Sequence, residues 1–210
     1  SDGNGLSTRF VSGDKSLLGE VKLNNYSITK ADFGVYQTDA LLKMLSVLDN
    51  DISVDLVKAE EKAISIDAKD SGAKVRYMLS DLSVINTPPQ LKQIPEFELL
   101  LNVDKTFVSK FISGKGALPD TESFTIVSGD KPEVVIGYSS IATNRVAVPV
   151  ENQTDNTIDN ISFNANLFKD VLEANKECEA AVLEVSSEGL ARITFNVGDY
   201  KSTYYLVAVQ

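Results

Sequence analysis

The chain has 210 residues, 43% of them hydrophobic, and a net charge of −10. That is enough for one large domain or two ordinary ones with a real core, and it argues against general nucleic-acid affinity while leaving room for a local basic surface. There is no histidine and a single cysteine, Cys178, which excludes Ser-His-Asp and Cys-His catalysis, histidine-ligated metals, a multi-cysteine zinc site and an internal disulfide.

Residues 1–5 read as a loop. Residues 6–11 and 17–23 read as two strands around the turn Ser12-Gly13-Asp14. They look like the tail of a longer unit whose opening strand and helix are absent. The full unit then appears in three copies: an extended apolar run, a polar turn, and a compact amphipathic helix carrying a lysine. The copies are Phe33-Gly34-Val35-Tyr36 into Ala40-Leu41-Leu42-Lys43-Met44-Leu45, Phe97-Glu98-Leu99-Leu100-Leu101 into Thr106-Phe107-Val108-Ser109-Lys110-Phe111-Ile112, and Ile161-Ser162-Phe163 into Asn166-Leu167-Phe168-Lys169-Asp170-Val171-Leu172. They recur at roughly 60 to 65 residues, the period of duplicated supersecondary structure.

Three alternating segments follow each helix. After the first they are 52–57, 63–68 and 74–80, after the second 124–127, 134–138 and 146–148, and after the third 181–185, 191–195 and 203–207. Gly, Asp and Ser turns separate them, which predicts antiparallel pairing. Each unit is therefore strand, helix, strand, strand, strand, and the fold class is α+β. Asn86-Thr87-Pro88-Pro89-Gln90-Leu91-Lys92-Gln93-Ile94-Pro95 interrupts the series with prolines that suit neither helix nor interior strand. The expected organisation is a domain over 1–86, a connector over 87–96 and a second, similar domain over 97–210.

Leu41, Leu42, Leu45 and Leu48 share one helical face, as do Phe107, Val108, Phe111 and Ile112, and Leu167, Phe168, Val171 and Leu172. Asp104, and Asn164 or Asn166, are candidate N-caps. Gly114 is a candidate stop. Lys43 lies almost opposite its apolar centre, and Lys110 and Lys169 about 130° from theirs. Thr106 and Ser113 centre the polar face of the second helix, and Lys105, Lys115 and Lys176 sit near helix ends. Lysines and small hydroxyls suit a phosphate backbone held without reading its sequence. The plain alternative is a polar face turned to water, and Asp170 and Glu173 weaken the nucleic-acid reading of the third helix.

Asp32-Phe33-Gly34-Val35-Tyr36 through Leu41-Leu42-Lys43-Met44-Leu45-Ser46-Val47-Leu48-Asp49-Asn50-Asp51-Ile52, together with the ending Gly198-Asp199-Tyr200-Lys201-Ser202-Thr203-Tyr204-Tyr205-Leu206-Val207-Ala208-Val209, resembles the DNA polymerase sliding clamp of tailed bacteriophages, the trimeric type with two domains per subunit. The order of elements agrees over nearly the whole chain. The resemblance implies two similar DNA-clamp domains, with sheets outside and helices inside a closed homotrimeric ring. It implies a non-enzymatic processivity factor that encircles duplex DNA, tethers a DNA polymerase and is loaded by an ATP-dependent clamp loader in the host-cell cytoplasm. It also implies a further helix ahead of residue 6. Carried over by position, Lys43, Lys105, Lys110, Lys115, Lys169 and Lys176 face DNA. Val84, Ile85, Leu91, Ile94, Tyr205 and Val207 lie where partners of such clamps insert an apolar peptide, and each of these residues could equally be core or edge packing.

No cofactor, metal or membrane partner is expected. No signal peptide is evident, and no apolar run nears the ~18 residues of a membrane span. Asp49-Asn50-Asp51 with Glu60 mimics a calcium loop, but Val54 occupies the glycine position and 52–57 alternates as a strand. Ile112-Ser113-Gly114-Lys115-Gly116 lacks phosphate-loop spacing. Cys178, between Glu177 and Glu179, reads as unreactive. The sequons at Asn25, Asn152 and Asn160 read as chance. Two other classes remain open: a β-rich structural protein of a virion, and a carboxylate-dependent hydrolase.

Overall fold

Short alternating stretches closed by Gly, Asp and Asn turns become strands around three α-helices in the computed structural model, which describes every residue except Gln90, Lys92, Ser140, Ala142 and Gln210. In chain order the elements are β1 (Gly5–Val11), β2 (Leu17–Asn24), α1 (Thr38–Leu45), β3 (Ser53–Ala59), β4 (Lys62–Lys69), β5 (Lys74–Met78), β6 (Leu99–Asp104), α2 (Lys105–Ala117), β7 (Ser123–Val127), β8 (Glu133–Ile136), β9 (Val146–Pro149), β10 (Ile161–Asn164), α3 (Ala165–Ala174), β11 (Ala180–Ser186), β12 (Leu190–Val197) and β13 (Tyr200–Val207), with a 3-10 turn at Leu82–Val84. The sheets run β1-β2-β13-β12-β11-β6, β10-β7-β8-β9 and β3-β4-β5.

By its contacts the chain divides into two units, Ser1–Thr8 with Lys22–Thr87, and Arg9–Val21 with Pro88–Gln210. The break after Thr87 falls in the proline-rich stretch, of which Gln90 and Lys92 lie outside the described residues. The segment Arg9–Val21 goes with the second unit, unlike the expected 1–86 division. Val207 N–H donates to Ser16 O at 2.8 Å, Leu17 is buried in the larger core, and Phe10 meets the Tyr204 ring at 6.2 Å.

In that hairpin Asp14 is the knot. Its carboxylate accepts the Ser12 and Ser16 hydroxyls and the Ser16 N–H. The Ser12 hydroxyl bond, first, then those of Ser16, hold its pKa at about 2 against an ordinary 3.8. A carboxylate lowered on folding stabilises above its unfolded pKa and loses that contribution as pH falls through the folded one. Stability is therefore expected to drop as pH goes from 3.8 to about 2, and Asp14→Asn is expected to shrink that drop. Denaturant midpoints of both proteins across the window check it.

In the first unit Leu48, Ala68 and Val75 are buried, with Met44, Leu45, Val54 and Ala73 packed on them. Two expectations change here. The run Phe33-Gly34-Val35-Tyr36 forms no strand, only a bridge from Gly34 to Ser80. A Cβ at Gly34 would lie 2.8 Å from Ser80 O and from Ile85 Cγ1, so the backbones approach too closely for a side chain. The apolar face of α1 is also rotated. Leu42 is 68% exposed, while Met44 and Leu45 turn inward and Leu48 is buried beyond the helix end.

The second unit holds two complete repeats, β6-α2-β7-β8-β9 and β10-α3-β11-β12-β13, and their leading strands are exchanged. β6 pairs antiparallel with β11, Leu101 opposite Leu183. β10 pairs antiparallel with β7, Phe163 opposite Phe124. Both helices then sit over a common core in which the rings of Phe111 and Phe168 are 5.0 Å apart and those of Phe124 and Phe168 4.8 Å.

Candidate nucleic-acid interface

Helix α2 starts where Asp104 accepts the Phe107 N–H at 2.7 Å, and α3 where Asn164, rather than Asn166, accepts the Leu167 N–H at 3.0 Å. Both caps end the preceding strand, so strand and helix join without a loop. Gly114 does not stop α2, which continues to Ala117. Gly114 is instead the point where β9 presses on the helix, because a Cβ there would lie 2.8 Å from Val146 Cγ1.

The buried face of α2 is Phe107, Phe111, Gly114 and Lys115, and that of α3 is Ala165, Phe168, Val171 and Leu172. Val108, Ile112 and Leu167 are only partly buried. This rotates both faces, so Lys110 and Lys169 stand roughly 90° from the buried centre instead of about 130°. The outward side of α2 is uncharged and small: Thr106, Ser109, Ser113 and Gly116 are exposed. Ser109 joins the expected Thr106 and Ser113 in this stripe. Its i+3 relation to the one and i+4 relation to the other are the signal that marks it. The corresponding side of α3 carries Asn166, Asp170 and Glu173.

The six expected lysines have different environments. Lys43, Lys110 and Lys176 are exposed and make no ion pair among the described residues. Lys105 pairs with Glu179, and Lys169 pairs with Glu173 one turn on at 2.9 Å. Lys115 leaves the candidate set. It is 4% exposed, and its ammonium donates to Pro119 O at 2.8 Å and Leu118 O at 3.4 Å, closing the end of α2. A lysine this buried, with its ammonium turned to the carbonyls just past the helix end, is not presented to a phosphate.

The apolar residues expected to take a peptide divide between the units. Val84 and Ile85 belong to the first, and Leu91, Ile94, Tyr205 and Val207 to the second. Val84, Leu91, Ile94 and Val207 are exposed, while Ile85 and Tyr205 are half-buried. Tyr205 stands opposite Arg192 in register. Arg192 forms a fork with Glu184 and lies 4.6 Å over the Phe97 ring. The Glu184 carboxylate, chiefly, raises the guanidinium pKa above its ordinary value. Nearby Glu98 accepts the Ser187 hydroxyl and N–H, and the hydroxyl bond, first, lowers its pKa. The node of Phe97, Glu184 and Arg192 assembles residues far apart in the chain, so periodicity alone could not group them.

No family model matches the sequence, and no curated protein sequence matches it. Among solved structures the chain is similar to the crystal structure of proliferating cellular nuclear antigen from Entamoeba histolytica. The identity is 13%, the likeness covers 100% of this chain and 87% of that one, and the TM-score is 0.78. What the two share is architecture: a mixed fold of antiparallel sheets with few helices. The chain has the mixed α+β clamp fold of proliferating cellular nuclear antigen.

Proposed function

We propose that this protein is a DNA sliding clamp of the tailed-bacteriophage type. Three copies close into a ring around duplex DNA, with the helices lining the hole. The ring tethers a DNA polymerase, is opened by an ATP-dependent loader and works in the host cytoplasm without catalysing a reaction. The observation that carries this reading is the clamp fold running the length of the chain. The exposed lysines and hydroxyls on α1 and α2 support it. A ring is a topological tether, so it works with weak, mobile phosphate contacts, and an overall acidic chain is compatible with that. Lys43, Lys110 and Lys176 are the proposed phosphate holders, joined in part by Lys105 and Lys169. Leu91, Ile94, Tyr205 and Val207 of the second unit are the proposed seat for the apolar peptide of the polymerase.

The test is mass in solution followed by retention on DNA. A trimer loaded on circular DNA is expected to stay bound and to be lost when the circle is cut. Lys43→Glu with Lys110→Glu is expected to lower processive synthesis by about tenfold with an unchanged unfolding curve, because both side chains are exposed. A monomer in solution, or equal retention on circular and linear DNA, overturns the proposal and returns the chain to the structural β-rich class.

A further inference from the structure

Two lysines of the second unit, Lys105 and Lys169, already pair with acids of that unit. Lys169 Nζ lies 2.9 Å from Glu173 on its own helix. Lys105, at the start of α2, reaches Glu179, just ahead of β11. Lys115 is buried against carbonyls. Lys176 is exposed but adjoins Glu177, and Asp170 occupies the solvent side of α3. Lys110 alone among these stands on an uncharged face, between Thr106, Ser109 and Ser113.

Resting on the clamp reading, we propose that Glu173 and Glu179 compete with DNA phosphates for Lys169 and Lys105. Lys110 on α2 is then the main phosphate holder of this unit, and the two carboxylates set how loosely the ring grips. The Lys105–Glu179 pair is well exposed and the Lys169–Glu173 pair partly so, so each opens at small cost and a passing phosphate can displace the acid for a moment. Such a contact is partial and reversible, and it suits a surface that must slide. An acid-free α3 would grip the backbone at every step and drag.

The experiment uses the full chain and a short labelled duplex titrated over about 50 to 200 mM salt, alongside retention on circular DNA. The variants are E173Q with E179Q, K110E, and E61Q with E188Q, the last pair being exposed acids elsewhere that control for net charge. Freeing two lysines is expected to tighten binding by about 3- to 10-fold at the low-salt end and to steepen the salt dependence by roughly one to two phosphate contacts. The control pair is expected to move neither quantity comparably. If E173Q with E179Q binds like the wild type while K110E weakens binding, the competition is refuted and the clamp reading stands. Equal tightening by the control pair also refutes it, since net charge would then be the cause. If no variant changes binding and circular DNA is not retained, the clamp reading itself fails.

Discussion

Phe111→Ala is expected to be the most damaging single truncation in the molecule, lowering stability by about 3–5 kcal/mol. Phe111 is 0% exposed. Its ring lies 6.0 Å from Phe107, 5.3 Å from Phe124 and 5.0 Å from Phe168. Phe107 shares its helix, Phe124 lies on β7 and Phe168 on α3, so the lost ring is the wedge between both helices and a sheet. The loss combines transfer of the ring from water with the void it leaves, because rings held edge-to-face cannot collapse into the gap without abandoning their own contacts. Urea unfolding is expected to show a lower midpoint with an unchanged slope. Leu42→Ala is the matched comparison, with an expected change within about 0.5 kcal/mol because Leu42 is mostly in water. A Phe111→Ala loss no larger than that of Leu42→Ala would mean that the second unit is not built around this ring.

Asn175→Leu is expected to cost about 2–4 kcal/mol by a different route. Asn175 closes α3 from inside the protein, 3% exposed. Its amide donates to Val171 O at 2.8 Å and to the Tyr204 hydroxyl at 3.0 Å, and its carbonyl accepts the Ser202 hydroxyl at 2.6 Å. Leucine fills the space but leaves the Ser202 and Tyr204 hydroxyls without their partner away from water. Adding Ser202→Ala removes one of the stranded groups, so the double variant is expected to be less destabilised than the two single changes summed. Denaturation of the three variants measures this coupling, and strict additivity would count against the network.

Much of this architecture is legible in local patterns. Helical spacing identifies the three helices, Asp104 marks where one begins and the pair Asn164 and Asn166 brackets the start of another, and the Gly and Asp turns delimit most strands. The repeat leads to the α+β class because identical local signals recur in order. What is hidden depends on partners distant in sequence. Gly114 has the signature of a helix end, and only the approach of Val146 explains a glycine in a helix that continues. Lys115 looks like its neighbours until the carbonyls of Leu118 and Pro119 are seen to claim its charge. The Lys169–Glu173 pair is readable as an i, i+4 relation, whereas Lys105 and Glu179 are 74 residues apart. The sequence therefore identifies the lysines, and the structure shows which of them are already engaged.

The crossed pairing of β6 with β11 and β10 with β7 bears on how the protein is made. Neither repeat of the second unit can complete its own sheet, so the two must mature together as a single foldon. Segments far apart in sequence have to meet before either edge is satisfied, which slows the search and leaves raw strand margins in half-built molecules. At high concentration such a margin can recruit the matching strand of a second chain, so refolding yield should be governed by dilution, with domain-swapped dimers as the characteristic by-product.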